Sequence, residues 1–426
     1  MALTKIFTQN ILWKSLFFIT AFALNILIAR HYGASVSGEI FYLINLYAFI
    51  ILISSISLES AMGYFISKNE ISITKILNFS LLWTLLTGIA LSAFFLINKQ
   101  SGYHRIDLLA IAFICGNLLS NFSAAISYAR RKFFLPNLIN SCVNILLIII
   151  ISLIHFANII IITDEQFITL FFVSMLIQGI ISIIILISIY SANRRFCLPA
   201  AKEYKLLFRY SMMAFMANII FFLLYRIDYW FVKEYCSSSD VGNYIQVSKI
   251  AHVFFILPGI IAGTVFPLTA GGQDENINKI LPSISRLILM IYTFICTLLA
   301  ITGYWLFPFV FGPGFINMYV PFLLLIPGIL GLSTLYMLTA YFAGKNKMRI
   351  NIIGALIALL FIIIADIIFI PRYGINAAAL ISSIGYIIYH SYVLTIFTKK
   401  YGTSAISFFN FSFSDVVLLK KAMLNK

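Results

Sequence analysis

Long, uninterrupted runs of apolar residues fill most of the chain, and short clusters of charged and turn-forming residues separate them. The runs 145–153 and 180–189 lack the alternation of apolar and polar positions that barrel strands would show. A helix needs roughly twenty apolar residues to cross the hydrocarbon core of a bilayer. On this basis the pattern predicts membrane-spanning helices at residues 11–29, 40–66, 76–97, 108–129, 138–161, 167–190, 210–232, 243–268, 287–311, 319–343, 350–370 and 377–398.

Two of these predicted spans, 40–66 and 243–268, are longer than one perpendicular crossing requires. We therefore expect both to be tilted or broken. Proline removes a backbone hydrogen bond and kinks a membrane helix, either as a hinge or as a feature of packing. The candidate hinge residues are Pro258, Gly259, Pro267, Pro327 and Gly328.

Composition agrees with a chain that folds in lipid. Hydrophobic residues make up 62% of the chain and charged residues 10%, and the mean hydropathy is +1.02. A soluble domain contains roughly 45–50% apolar residues, because its surface must be polar. In a bilayer every backbone polar group must be paired within the protein, which favours helices here. The sequence therefore predicts an all-α polytopic membrane protein of about twelve helices.

The net charge of +15 has a topological explanation. If the N-terminus is cytoplasmic, the predicted cytoplasmic segments hold 22 of the 29 lysine and arginine residues. This is the bias that the positive-inside rule describes, and acidic residues do not share it. The pattern predicts a multi-pass protein with both termini in the cytoplasm, and it disfavours nucleic acid as a partner.

The predicted spans form two groups of six. The predicted parts are an N-terminal lobe at 1–190, a basic cytoplasmic linker at 191–209, a C-terminal lobe at 210–398 and a basic cytoplasmic tail at 399–426. A weak repeat relates the lobes, because a basic residue, a tyrosine and then a glycine, Gly38 or Gly242, follow the first and seventh spans. Six is an even number, so both copies would run in the same direction, and substrate sites of transporters form at such repeat interfaces.

Signatures of enzymatic chemistry are absent from the sequence. There is no GxxxxGK[ST] nucleotide-binding loop and no HExxH or other close metal-ligand cluster. The five histidines are isolated from one another. We therefore expect no catalytic residue, no metal site and no cofactor, and we expect an ion gradient or the substrate's own gradient to drive any transport.

Charged residues inside the predicted spans are the candidate functional residues, because such charges are costly in lipid and mark pathways. Arg226 and Asp228 lie two positions apart in the seventh span and point to different faces, and Lys249 lies at a similar depth in the eighth. They either line an aqueous cavity that binds an anionic substrate, or they snorkel or pair as a structural lock. Arg30, at the outer end of the first span, is either an anchor or a further substrate contact.

Two carboxyl groups are candidates for ion coupling. Glu59 lies roughly 10 Å from the inner end of the second span, close to several serines, where a buried carboxyl is able to carry a proton. A hydrogen-bonded structural carboxyl explains Glu59 equally well. Asp366 lies about one turn from the outer end of the eleventh span, and exposure at the interface is the favoured interpretation.

Three stretches resemble a known family. They are 28–38, then 226–228 with 241–244 and 257–258, and finally 370–379. The chain resembles the polysaccharide-transporter branch of the MATE-like (MOP) superfamily, the Wzx-type flippases of lipid-linked oligosaccharides. Cys236, where the first repeat has a glycine, and Asp366, where relatives carry a neutral polar residue, depart from the family pattern.

The resemblance implies two six-helix lobes around a central cavity that opens to each side in turn. It implies an undecaprenyl-diphosphate-linked oligosaccharide repeat unit, such as an O-antigen unit, as cargo, moved to the periplasmic leaflet of the bacterial inner membrane. Tyr225, Tyr229 and Trp230 could then stack on sugar rings or act as interfacial residues. Candidate partners are the polysaccharide polymerase and chain-length regulator. The alternatives are a drug/cation antiporter of the same superfamily, and a membrane polymerase or glycosyltransferase, which would be expected to carry a long extracytoplasmic loop.

Overall fold

The computed structural model describes residues 2–97, 104–155, 163–190, 196–271 and 274–410. The described residues form helices and contain no strand. The α-helices are α1 (Ala2–Ser55), α2 (Leu58–Ser67), α3 (Ile73–Ile97), α4 (His104–Ala129), α5 (Phe134–His155), α6 (Asp164–Tyr190), α7 (Ala201–Arg226), α8 (Asp228–Tyr235), α9 (Ser238–Val253), α10 (Ile256–Ala270), α11 (Asp274–Phe311), α12 (Tyr319–Gly344) and α13 (Met348–Tyr401), with short 3₁₀ helices at Pro313–Met318 and Ala405–Phe408.

Among the described residues, ten helical segments are long and apolar enough to cross a membrane. The segment in α13 contains two of the predicted spans, and the segment in α1 contains the first predicted span and the start of the second. Each is divided by a glycine with positive φ, Gly33 at 68° and Gly374 at 59°. Glycine adopts this conformation readily because it has no Cβ. The prediction of an all-α fold with about twelve spans is confirmed.

Both long predicted spans are broken, as expected. The span at 40–66 breaks at Ile56 and Ser57, whose φ values are 47° and 54°. A β-branched residue such as Ile56 rarely adopts positive φ, so this break is held by its surroundings. The indole N–H of Trp83 donates to the freed carbonyl of Ser54 at 2.8 Å, and the amide of Asn218 donates to Ser57 Oγ at 3.0 Å.

The span at 243–268 breaks at Phe254 and Phe255, between α9 and α10. Pro258 follows in the first turn of α10, where its missing N–H costs no helical hydrogen bond. The hydroxyl of Tyr292 donates to the free carbonyl of Phe254. This break therefore coincides with the predicted Pro258–Gly259 candidate hinge.

The chain divides into two compact units. The first unit contains Met1–His31 and Leu43–Ile219, and the second contains Tyr32–Tyr42 and Ile220–Lys426. The second half of the predicted linker is helical, because α7 begins at Ala201. The lobe boundaries stay a prediction, and the units are described separately below.

Close helix crossings at paired glycines hold each unit together. In the first unit, a Cβ on Gly116 of α4 would lie 2.6 Å from the Cα of Leu176 in α6, close to Gly179. In the second unit, a Cβ on Gly38 would lie 2.6 Å from the backbone nitrogen of Gly242. The two glycines of the predicted repeat therefore pack against each other, so that neither accommodates a side chain.

Candidate functional site

A buried polar cluster in the second unit begins where α7 gives way to α8. Asp228, the first residue of α8, is 2% exposed. Its Oδ2 accepts hydrogen bonds from the hydroxyl of Tyr244 on α9 and, at 2.9 Å, from Ser382 on α13. Its Oδ1 has no hydrogen-bond partner among the described residues. Asp228 is therefore bound by hydroxyl groups on two other helices.

Asp366 on α13 is 0% exposed, so the expected exposure at the interface was wrong. It lies on the inward face of α13 with Ile362 and Ile370, each four residues away from it. Neither carboxylate oxygen has a hydrogen-bond partner in the described part of the chain. Asp366 is close enough to Asp228 for the two charges to repel each other.

The cationic residues lie over aromatic rings. The Nζ of Lys249 lies 3.4 Å from the centroid of the Phe41 ring, and the guanidinium of Arg226 lies 5.0 Å from that of Phe222. The negative face of an aromatic ring attracts a cation at such distances. Lys249 is close enough to Arg226 for their positive charges to repel each other. His252 is close enough to both residues for their charges to disfavour its protonated form. Arg226 and Lys249 therefore lie near each other in the second unit.

Aromatic residues surround these charges. The ring of Tyr225 lies 5.9 Å from His252 and 5.8 Å from Tyr386, measured between centroids. Phe255 stacks on Tyr336 at 5.6 Å. The cluster combines two cations, two carboxyls and a tyrosine-rich wall, all contributed by the second unit.

Sequence reasoning missed several members of this cluster. Ser382 and Tyr386 were passed over because the last span reads as uniformly apolar, although they lie four residues apart on one helix face with Tyr389 and His390 nearby. Such polar spacing within a span was the available signal.

The three proposed sugar-stacking residues have different environments. Tyr229 is 3% exposed, and its hydroxyl donates to Ser248 Oγ at 2.8 Å. The predicted stacking of Tyr229 on sugar was therefore wrong, since its ring is enclosed by protein. Tyr225 and Trp230 are half-buried, and their predicted role stays a prediction.

The hinge candidates differ in their surroundings. A Cβ on Gly259 would meet nothing within 4 Å, so the backbone beside the α9–α10 break is not tightly packed. In α12, by contrast, the N–H of Gly328 donates to Ser383 Oγ at 2.6 Å, and a Cβ there would lie 2.8 Å from the Cα of Ser383. The absence of a side chain at Gly328 therefore permits close packing of α12 against α13. The side chain of Pro267 lies outside those described.

The first unit contains two of the predicted site residues. Arg30 belongs to this unit and its side chain is exposed. Glu59 lies in the first turn of α2, immediately after the break at Ile56 and Ser57. Its Oε2 is buried and has no hydrogen-bond partner in the described part of the chain.

Glu59 borders a cavity of about 770 Å³ within the first unit. The lining residues are Glu59, Ser60, Gly63, Tyr64, Ser67, Asn121, Ala124, Ala125, Tyr128, Ala129 and Tyr210. They come from α2, α4 and α7, at the predicted cytoplasmic ends of these helices. On α4, the amide of Asn117 donates to the carbonyl oxygen of Phe113 in the same helix.

The second unit has a pocket of about 570 Å³ at its predicted outer end. Asp240, Asn317 and Asn376 provide its polar groups, and Tyr304 and Tyr373 are among its aromatic groups. No group of three or more potential metal ligands occurs among the described residues.

No protein-family model and no curated protein sequence matches the chain. Several solved structures match the chain. A structure of the lipid II flippase MurJ in an inward closed conformation matches with a TM-score of 0.71 and 19% identity, over 98% of this chain and 93% of that one.

An inward-facing multidrug resistance MATE family transporter of the MOP superfamily matches with a TM-score of 0.66 and 13% identity, over 92% of this chain and 94% of that one. A MOP superfamily transporter from Pyrococcus furiosus matches with a TM-score of 0.60 and 11% identity, over 94% of this chain and 95% of that one. At these identities the similarity establishes architecture, and the chain has the fold of the MOP-superfamily transporters.

Proposed function

We propose that this protein is a flippase that moves an undecaprenyl-diphosphate-linked oligosaccharide repeat unit, of an O-antigen or a similar surface polysaccharide, from the cytoplasmic to the periplasmic leaflet. The observation that carries the proposal is the placement of Arg226 and Lys249 near each other within membrane helices of one unit. A charge inside a membrane helix costs about 2.5–3.5 kcal/mol on insertion scales. Two neighbouring cations cost more, and an anionic ligand such as a diphosphate would offset that cost.

The chemistry of the cargo fits this arrangement. Its polyprenyl tail can stay in lipid, so a polar passage is needed for the diphosphate and the sugars alone. The guanidinium of Arg226 can bind phosphate oxygens in a bidentate manner, and Lys249 adds a point charge. A match to a structure described as a lipid II flippase supports a lipid-linked cargo. Arg30 stays a proposed substrate contact.

We propose that ion coupling takes place at Asp366, next to Asp228. The two buried carboxyls repel each other, and Asp366 has no hydrogen-bond partner among the described residues. A proton or a monovalent cation bound at Asp366 would relieve the repulsion. Loading and release of that ion would then favour different packings of α8, α9 and α13, which alternating access requires. Glu59 is the second candidate for this role.

A drug/cation antiporter of the same fold is the second candidate function. Buried carboxyls, Asp366 in the second unit and Glu59 in the first, would favour a cationic cargo, and MATE family structures match the chain. The two functions differ in the predicted effect of the cations, since an antiporter for cations gains nothing from Arg226 and Lys249.

The proposed setting is the bacterial inner membrane, with both termini in the cytoplasm and with the polysaccharide polymerase and chain-length regulator as candidate partners. The proposal includes no enzymatic step.

Deletion of the gene, followed by lipid extraction and a leaflet-specific glycan assay, tests the proposal. If the protein is a flippase, its deletion should leave undecaprenyl-linked repeat units on the cytoplasmic leaflet and abolish the surface polysaccharide. Complementation with the wild-type chain should restore export. Normal surface polysaccharide in the deletion strain, together with changed resistance to cationic drugs, would instead favour the antiporter.

A further inference from the structure

We infer that the 770 Å³ cavity between α2, α4 and α7 of the first unit is a sugar-binding subsite, which takes one or two neutral sugar rings of the cargo at the predicted cytoplasmic side. The inference rests on the proposed function and deepens it, because it assigns the glycan to a place distinct from the cations of the second unit.

The size of the cavity comes from small residues. On α4, Ala125 and Ala129 lie one turn apart on the cavity side, and Gly63 faces them from α2. A Cβ on Gly63 would lie 3.8 Å from the carbonyl oxygen of Ala125, so the helices are close but not interlocked. Ligand sites typically occupy roughly 300–1,000 Å³, and this cavity lies in that range.

The charged groups that line the cavity indicate which class of ligand it can bind. Glu59 is the one ionisable acid of the lining, and the lining residues include no lysine, arginine or histidine. A diphosphate or an acidic sugar would be repelled by a carboxylate in this setting. The hydroxyl groups of a neutral sugar can instead donate to the carboxyl group of Glu59, which lines the cavity. Such hydrogen bonds to a charged acceptor are stronger than neutral ones.

The aromatic wall supplies a flat apolar surface. The rings of Tyr64 and Tyr210 are stacked, with centroids 4.6 Å apart and planes 20° apart. The Nζ of Lys68 lies 4.6 Å from the centroid of the Tyr64 ring. Tyr64 is 37% exposed and Tyr210 is 36% exposed, so a ligand can reach both rings of the pair. The C–H face of a sugar ring packs against such an aromatic face, and carboxylate and aromatic groups together suit a carbohydrate.

The position of Glu59 is fixed by the broken helix. The break at Ile56 and Ser57 starts α2 as a separate short helix, with Glu59 in its first turn. Asn218 of α7 donates to Ser57 Oγ at 3.0 Å, and this bond ties the start of α2 to the helix that carries Tyr210. The two proposed ligand contacts are therefore positioned by one connected structure within the first unit.

Binding to the purified full-length protein in lipid nanodiscs tests the inference. The probes are the undecaprenyl-diphosphate-linked repeat unit purified from the deletion strain and undecaprenyl diphosphate without sugar. We expect Glu59→Ala and Tyr210→Ala each to weaken binding of the glycan-bearing lipid about tenfold and to leave binding of the sugar-free lipid unchanged. Glu59→Gln, which keeps one carbonyl acceptor, should lose less. Tyr235→Ala, at an exposed tyrosine of the second unit, is the matched control and should change neither affinity.

Three results would overturn the inference. The first is unchanged binding of the glycan-bearing lipid in Glu59→Ala and Tyr210→Ala, and the second is equal weakening for both lipids, which indicates a structural effect. The third is loss of binding of a cationic probe, ethidium, in Glu59→Ala with no change for the glycan, which assigns the cavity to cations. If the wild-type protein bound neither lipid, the proposed function would fail together with the inference, so the two failures are distinguishable.

Discussion

The two units place charge in opposite ways. In the second unit, Arg226 and Lys249 lie close together over aromatic rings, and the nearby Asp228 is bound by hydroxyl groups. In the first unit, a cavity holds one carboxyl, that of Glu59, in a lining without a basic side chain. A cationic site suits a phosphate and an uncompensated carboxyl suits hydroxyl groups. Under the proposed function, the second unit would bind phosphate and the first unit would bind sugar.

The breaks in the helices accompany this difference. In the first unit the break lies two residues before Glu59, at backbone angles that Ile56 adopts against its steric preference. In the second unit the break lies beside a proline and close to Lys249 and His252. Each break ends regular helix next to ionisable groups. Such positions expose backbone carbonyls that a bound ligand or a side chain must satisfy.

The largest expected effect is on the fold of the second unit. In Gly242→Val the new side chain would overlap the carbonyl oxygen of Ala34, which is backbone and cannot move aside. We expect a destabilisation above about 3 kcal/mol and loss of monodisperse protein in gel filtration of detergent extracts. Gly259→Ala is the control, since a Cβ there meets nothing within 4 Å. Wild-type yield of Gly242→Val would refute the close crossing.

Removal of one cation should abolish transport without loss of the protein. For Arg226→Ala we expect export of surface polysaccharide to fall at least about 100-fold, because a phosphate contact with a charged donor is lost. The readout is surface glycan per unit of membrane-inserted protein. Arg372→Ala, at an exposed arginine of the same unit, should export normally. Normal export by Arg226→Ala would remove this residue from the mechanism.

Neutralisation of each candidate coupling carboxyl in turn should show which unit couples transport to an ion gradient. Asp366→Asn removes the repulsion with Asp228, and we expect transport in vesicles to lose its response to an imposed H⁺ or Na⁺ gradient, roughly a tenfold effect. Glu59→Gln should keep that response if Glu59 binds sugar. The opposite pattern, in which Glu59→Gln loses the response and Asp366→Asn keeps it, would move coupling to the first unit.

The smallest expected effect is on the labelling rate of the Cys236 thiol, and it does not involve transport. Burial, with a contribution from Asp240, raises the pKa of Cys236 to about 11. A raised pKa lowers the thiolate fraction, so at pH 8 about one thiol in a thousand is reactive. Labelling of Cys236 in a single-cysteine variant should therefore rise about tenfold per pH unit between pH 8 and 10. A rate that does not change over this range would contradict the burial of Cys236.

The same labelling tests the predicted topology. An impermeant maleimide should reach Cys236 from the periplasmic side, and the exposed Cys197 of the first unit from the cytoplasmic side. Labelling of both from one side would contradict the alternation of the basic residues.

Much of the fold was predictable because apolar run length reports directly on membrane crossing. The positions of both broken spans followed from their excess length, although the exact break at Ile56 did not, since no proline or glycine marks it. The packing of Gly38 on Gly242 was not predictable either. The sequence revealed the two glycines as a repeat, but their contact depends on how α1 and α9 cross.

The charged residues of the site were predictable from the sequence, but their hydrogen-bond partners were not. Arg226, Asp228 and Lys249 stand out against apolar surroundings. The partners of Asp228 are hydroxyl groups on α9 and α13, and a hydroxyl in a membrane helix carries little signal by itself. Asp366 was misjudged from its distance to the end of the span, whereas its place on the inward face of α13 decides its burial. Depth along a helix and orientation around it are independent.

Translocation by the purified full-length chain in proteoliposomes tests the central claim most directly. The substrate is the undecaprenyl-diphosphate-linked repeat unit, and the readout is the fraction of its glycan accessible to an external lectin over time. We predict that wild-type vesicles move the substrate between leaflets and that vesicles with Arg226→Ala do so at least about 100-fold more slowly. Equal rates in wild-type, Arg226→Ala and protein-free vesicles would contradict the account.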